Sequence, residues 1–306
     1  MNVRCLFFGA LLTALLPSDA FAWTPGTHIL LGEAVLRSTG LLPAALASLL
    51  SAHPWDFLYG SIAADTSMAK KYARFGRHCH SWTVGFEILH HARDEPLEAF
   101  SWGYLAHLAA DVVAHNYFVP HQLAVTSSTT ALGHSYWESR FEAHLSQRYA
   151  RRAVEVIQLN HSTSDAHLDR VLSPTIFSTR TNRRIFRGMV HAGDSASWQR
   201  VFGLVAANSR WDLADSVVAA HIARSFDYVM DLLIREAGSI PYTYDPAGDR
   251  ALRDAKRVRR TAIRHGGPHE ADSEAALKFG LPPTALTFAT AAVEPLYLPA
   301  ARAATS

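Results

Sequence analysis

Residues 102–121 read WGYLAHLAADVVAHNYFVPH, and within them His107, Asp111 and His115 fall four residues apart. At about 100° per residue, four helical steps advance about 400°, so each position drifts only about 40° round the axis from the last. The spacing predicts one long helix, opening at Pro96 where proline is tolerated in the first turn, with two imidazoles and a carboxylate on a single stripe. Donors of that kind suit zinc. Leu105, Leu108, Ala109, Val112 and Val113 lie between them and would bury the flanks of the stripe. A lone HxxxD more often marks a polar stripe facing water. The third ligand-type residue in phase favours a metal and obliges the rest of the chain to supply further donors.

Downstream, Gly133-His134-Ser135-Tyr136-Trp137-Glu138 opens another helix after a Ser- and Thr-rich loop at 126–130, with His134 and Glu138 on one face. Glu142 lies on that face too and could orient a ligand, although an exposed carboxylate is the expected state. Upstream, helical patterning covers residues 27–38, 42–52 and 55–64, the last running into Asp65. A basic loop at 70–77 then delivers Arg77-His78-Cys79-His80-Ser81-Trp82, and residues 83–93 are helical again. Past residue 160 ligand types thin out. Packing helices are predicted at 183–190, 197–207 and 211–236, the last with Leu213, Val217, Ile222, Phe226, Val229 and Leu233 toward the core. Residues 241–248 are a turn-rich break, 250–264 carry seven basic residues in helical register, and the end is rich in Ala, Thr and Pro. No set of alternating strands emerges, so the predicted fold class is all-α.

Of the 306 residues 49% are hydrophobic and 18% charged, with a net charge of +2, which is a globular composition with no general bias toward nucleic acid or acidic partners. Seventeen histidines against two cysteines favour imidazole and carboxylate metal chemistry over a thiolate site. Residues 1–22 read as a secretory signal: Arg4 at the charged end, an apolar run at 6–16, and Ala20-Phe21-Ala22 as the cleavage site. The apolar run falls short of the roughly 20 residues that span a bilayer, and Cys5 precedes it, which argues against a lipid anchor. The expected location is periplasmic or secreted. Cleavage after Ala22 leaves Cys79 as the one cysteine and Trp23 as the first residue. A free α-amino group, with its pKa near 8, can lose its proton to a metal at neutral pH and bind it through nitrogen.

In chain order, Trp23, Thr27-His28, Asp65, His80 ahead of Trp82, His107-x-x-x-Asp111, His115 and His134-x-x-x-Glu138 resemble the zinc-dependent phospholipase C family, relatives of the S1/P1 nucleases. The resemblance covers residues 23–145. The HxxxDxxxH form looks more like the glycosylphosphatidylinositol-specific phospholipase D branch, and His121 is the spare candidate for the role of His115. His78 competes with His80, which stands closer to Trp82. The resemblance implies an all-helical bundle around three zinc ions: Trp23, His28 and a bridging Asp111 for one; Asp65, His80, His107 and Asp111 for the second; His115, His134 and Glu138 for the third. The whole chain is read as a signal at 1–22, a zinc-dependent phospholipase C-like domain at 23–240 and a basic helix with a loosely held extension at 241–306.

The chemistry so implied is phosphodiester hydrolysis, most simply phospholipase C-type cleavage of glycerophospholipids by water activated at zinc. Asp65 serves either as the base or purely as a ligand. Tyr104, Tyr117, Phe118, Tyr136 and Trp137 flank the donors and either cup a choline-like head group or simply fill the core. The expected partners are phospholipid or another phosphodiester, with no stable nucleic-acid partner; the basic face of 250–264 is by default a solvated helix face, and its alternatives are peripheral contact with anionic lipid or a polynucleotide. Two other readings fit the same residues: a single-strand nuclease of S1/P1 type, and a non-catalytic helical protein with zinc as a structural staple. No oligomeric state is legible.

Overall fold

The computed structural model describes residues 23–66, 78–126, 130–209, 211–265 and 268–298. The signal read at 1–22 and the basic loop at 70–77 lie outside the described residues. The elements are α1 (Pro25–Arg37), α2 (Ala44–Ala52), α3 (Pro54–Ala63), α4 (Trp82–His90), α5 (Glu95–Val113), a π-type turn (Ala114–Phe118), α6 (Val119–Thr126) and α7 (Thr130–Glu142). There follow α8 (Arg148–Gln158), α9 (Ser162–Val171), α10 (Thr179–Gly193), α11 (Ala196–Ala207), α12 (Asp215–Arg235), α13 (Asp249–His265), α14 (Pro268–Phe279) and the short α15 (Phe288–Ala291). Among the described residues there is no strand, so the fold is all-α as expected.

α5 is the axis of the molecule. Asp94 Oδ1 accepts a hydrogen bond from Leu97 N at 3.0 Å, Pro96 stands in the first turn, and Glu95 and Glu98 sit at the positive end of the helix dipole. From Ala99 to Val113 every residue is buried, so neighbours cover the helix on all sides. α3 packs closely on it through a glycine pair. A Cβ on Gly60 would lie 1.9 Å from Phe100 O, and one on Gly103 would lie 2.1 Å from Phe57 O. The two backbones touch because neither position carries a side chain. That contact sets the carbonyl of Ser61 within 2.9 Å of His107 Nδ1 and brings Asp65, just past the end of α3, to the same region.

The helix predicted over 102–121 is not continuous. Its regular hydrogen bonding ends at Val113, and one wider turn over Ala114–Phe118 precedes α6. Asn116 stabilises this turn by donating through Nδ2 to Val112 O at 3.0 Å and to Asp245 O at 2.9 Å. Such turns insert an extra residue and often mark functional positions. α12 packs along α5, and its buried face includes Leu213 just ahead of it, then Ile222, Phe226, Val229 and Leu233. Val218 takes the core position assigned to Val217, one residue out of the expected phase. α8 and α9 lie where the sequence analysis predicts no helix, and the Asp165 and Asp169 carboxylates of α9 bind Tyr59 and Arg183 rather than joining the centre. Residues 241–298 contribute α13 and α14, both packed on α6, and a 244–248 loop packed on the π-type turn.

Candidate metal centre

Asp111 is the hub. It is fully buried, with Oδ1 3.3 Å from His28 Nε2 and Oδ2 2.8 Å from His80 Nε2 and 3.1 Å from His107 Nε2. Asp65, equally buried, lies 3.4 Å from His80 Nε2 and 3.8 Å from His107 Nε2 through Oδ1. Three clusters of donor atoms result, each spanning no more than 4.8 Å: His28, His107 and Asp111; Asp65, His80 and His107; and His115, His134 and Glu138. Within the third, His134 Nε2 lies 2.7 Å from Glu138 Oε1, and the rings of His115 and His134 meet edge to face with centroids 5.3 Å apart.

Backbone carbonyls aim the imidazoles. His107 donates from Nδ1 to Ser61 O at 2.9 Å, and His115 donates from Nδ1 to Pro246 O at 2.6 Å. In both rings the proton is thereby placed on Nδ1 and the lone pair on Nε2 faces inward, the usual arrangement for a metal-ligating histidine. Burial, reinforced by the charge of His107, lowers the pKa of His28 and keeps that ring neutral. Burial pushes the Asp111 carboxyl up, but His107, His28 and His80 around it outweigh this and hold it well below the usual carboxylate range. The centre therefore sets imidazole nitrogens around a buried anion.

Trp23 is fully buried. Its ring packs on Phe118 and Phe141 with centroids 5.3 and 4.1 Å away, and Nε1 donates to Ala110 O at 3.0 Å, one residue before Asp111. Both open choices between histidines acquire a geometry. His80 is buried in the centre, whereas His78 is partly exposed. His115 joins His134 and Glu138, whereas His121 is partly exposed on α6 and faces Asp272.

Residues 27–179 match the family model described as zinc dependent phospholipase C, a span that holds every candidate donor except Trp23. The chain belongs to the zinc-dependent phospholipase C family. No curated protein and no solved structure matches it. Membership makes the protein a zinc-dependent hydrolase of phospholipase C type, and the donor set fits zinc on physical grounds. His28 Nε2 and both Asp111 oxygens are buried without a hydrogen bond, although they crowd within ion-pair distance of one another. Buried polar atoms in that state are costly unless a cation takes them up. Nitrogen and carboxylate donor sets of this kind are common in catalytic zinc sites, whereas structural sites rely mostly on cysteine.

One expectation about this family member changes. Glu142 is not an exposed carboxylate. It sits against the first turn of α1, where a Cβ on Gly26 would fall 2.1 Å from its Oε1. Burial raises its pKa from 4.5 to about 7, and hydrogen bonds with Thr24 and Gly26 only partly offset that. The aromatic residues read as either a head-group cup or core belong mainly to the packing. Phe118 and Trp137 are core, Tyr104 is buried with its hydroxyl donating to Cys79 O at 2.6 Å, and Tyr136 bonds Ser209 at 2.6 Å.

The Glu142 carboxyl has a consequence for stability. Unfolded, it ionises near pH 4.5; folded, it keeps its proton to about pH 7. Its contribution is fully present below the lower value and is lost as the pH rises through the upper one, by about 3 kcal/mol at most. Glu142→Gln is expected to flatten that decline. Urea unfolding at a series of pH values reads it, and an unchanged slope between the two pKa values would show that the buried carboxyl is not its origin.

Proposed function

We propose that the protein is exported, begins at Trp23 when mature, and hydrolyses glycerophospholipids at the phosphodiester that releases diacylglycerol. The observation that carries this reading is the convergence of three donor clusters, two of which share His107 and meet at Asp111. Three zinc ions are the natural complement of three such clusters: His28, Asp111 and the Trp23 main chain for one; Asp65, His80, His107 and Asp111 for the second; His115, His134 and Glu138 for the third. Zinc supplies Lewis acidity toward phosphoryl oxygens and makes water nucleophilic at neutral pH.

The remaining work falls to the chain. Asp111 holds His28, His80 and His107 in fixed mutual geometry and neutralises cationic charge at the centre. The carbonyls of Ser61 and Pro246 lock two imidazole tautomers. In this reading Asp65, whose Oδ1 lies 3.4 Å from His80 Nε2 and 3.8 Å from His107 Nε2, takes the proton from the attacking water as well as ligating.

Zinc analysis on protein exported with its natural N-terminus should give three ions per chain, falling when a residue is added ahead of Trp23. Asp65→Asn should retain zinc yet lower kcat by about 100- to 10,000-fold, the usual contribution of a positioned base. Zinc lost together with activity would assign Asp65 a ligating role alone. Phospholipid and single-stranded DNA offered side by side decide the substrate, and faster cleavage of the DNA would overturn the lipase reading.

A further inference from the structure

α13 carries a row of arginines that the metal centre does not use. Arg250, Arg253, Arg257, Arg260 and Arg264 recur at alternating steps of three and four, so on a helix they share an arc of about 80° over roughly 20 Å. All five are exposed, and residues 249–264 hold seven basic side chains against two acidic ones. The acids are engaged locally: Asp249 lies 3.8 Å from Arg253, and Asp254 lies 3.3 Å from Arg257 and 3.1 Å from Lys278. A depression of about 440 Å³ runs along one flank, lined by Arg253, Lys256, Arg257, Arg260, Thr261 and Arg264. On the other flank Leu277 of α14 stands beside Arg257 and Thr261.

The apolar neighbours identify the partner. Leu277 is 91% exposed and Ile263 is 59% exposed, which leaves aliphatic side chains in water on each side of the cationic row. A surface for single-stranded polynucleotide would instead present rings for base stacking, and among the described residues α13 and α14 expose no Phe, Tyr or Trp side chain. Cations that attract an anionic surface, bordered by aliphatics that can enter the acyl boundary, are the requirements for attachment in the plane of a membrane. α13 also starts at the metal centre, since Gly248, immediately before it, lies against the backbone of His115. We propose that the arginine face of α13, with Leu277 and Ile263 beside it, docks the protein on an anionic phospholipid bilayer. The surface is read from charge and exposure, and does not depend on which phosphodiester the centre cleaves.

The test is co-sedimentation of the full exported protein with vesicles of phosphatidylcholine alone and of phosphatidylcholine mixed with phosphatidylglycerol. The mixed vesicles should bind it, and added salt should release it. Each cation near an anionic surface contributes a factor of about five in partitioning, so R253Q/R257Q/R260Q should bind on the order of 100-fold more weakly. L277S should weaken binding at every salt concentration. Both variants should retain helical content and hydrolyse a monomeric short-chain substrate at the wild-type rate. Equal binding by wild type and the arginine variant, or salt-insensitive binding to neutral vesicles, would overturn the docking surface. So would arginine-dependent binding to DNA with none to vesicles. Binding without lipid cleavage would overturn the lipase reading and leave the docking surface standing.

Discussion

On the proposed reading of three zinc ions, Asp111→Asn is expected to reduce zinc from three ions per chain to one and to lower kcat/KM by at least about 1,000-fold. The substitution keeps the shape of the side chain and removes its charge, so the packing of α5 is undisturbed. What is lost is the one group that three imidazoles share, with His28 at 3.3 Å from one oxygen and His80 and His107 at 2.8 and 3.1 Å from the other. An amide can present an oxygen to one side only, and its NH2 would confront ring nitrogens on the other. The two clusters around His107 then lose both their bridge and the negative charge that favours cations there. The third cluster, His115, His134 and Glu138, shares no atom with Asp111 and should keep its ion. A 1,000-fold loss corresponds to about 4 kcal/mol of transition-state stabilisation, within reach of removing metal ions that polarise a phosphoryl group.

Stability supplies an independent reading of the same substitution. Ions that bind only the folded state raise the melting temperature by mass action, so a chelator should lower Tm markedly in the wild type and much less in the variant. Once metal is removed, the order can reverse. The metal-free wild type buries a carboxylate held ionised by the histidines around it, and a neutral amide in its place relieves the cost of burying charge. A variant that keeps three ions and full activity would show that Asp111 neither bridges nor binds.

How much of this centre could be read in advance depends on how each residue reaches it. His107 with Asp111, and His134 with Glu138, are i,i+4 pairs inside single helices, so helical periodicity alone puts each pair on one face. Asp65 and His80 enter from loops beside α3 and α4, and their positions are set by tertiary contacts such as Tyr104 OH to Cys79 O. No local period announces contacts of that kind, and only their order along the chain, matched to a family, singled them out. The π-type turn was invisible because its cause, Asn116 tied both to Val112 and to Asp245, links residues about 130 apart. Gly60 and Gly103 look like ordinary weak points of two helices until the helices are packed together. The burial of Glu142 is hidden for a related reason: its helix phase is legible, but the element it faces, the N-terminus of α1, lies more than 100 residues earlier.

Gly248→Ala is expected to have an effect out of proportion to one methyl group. Gly248 has φ +61°, in the left-handed region that costs a side-chain-bearing residue about 1–2 kcal/mol. An added Cβ would lie 2.4 Å from the carbonyl oxygen of His115 and 2.5 Å from its Cβ, and backbone on both sides leaves little room to yield. Overpacking of this kind costs about 1–3 kcal/mol more, so a total loss of roughly 2–5 kcal/mol in stability is expected. The functional effect follows from where the strain is released. Gly248 N donates to Asp245 O at 3.1 Å, Leu252 N donates to Gly248 O at 2.9 Å at the start of α13, and Trp82 Nε1 donates to Tyr244 O at 2.8 Å. With its ends so held, the 244–248 loop can relieve the collision mainly by drawing away from the π-type turn. Pro246 O then leaves His115 Nδ1, and the ring loses the partner that fixes its tautomer and aims Nε2 at His134 and Glu138. Partners of that kind affect metal affinity or activity by about 10- to 100-fold. Gly248→Ala should therefore lose the third zinc first while the two ions around Asp111 remain. Gly188→Ala, where a Cβ meets nothing within 4 Å, is the control and should change neither zinc nor rate. Should Gly248→Ala fail to fold, Asn116→Ala releases the tether to Asp245 without any collision, and should weaken the same ion selectively. Uniform loss of all three ions in Asn116→Ala, or retention of all three in a folded Gly248→Ala, would show that the loop does not aim His115.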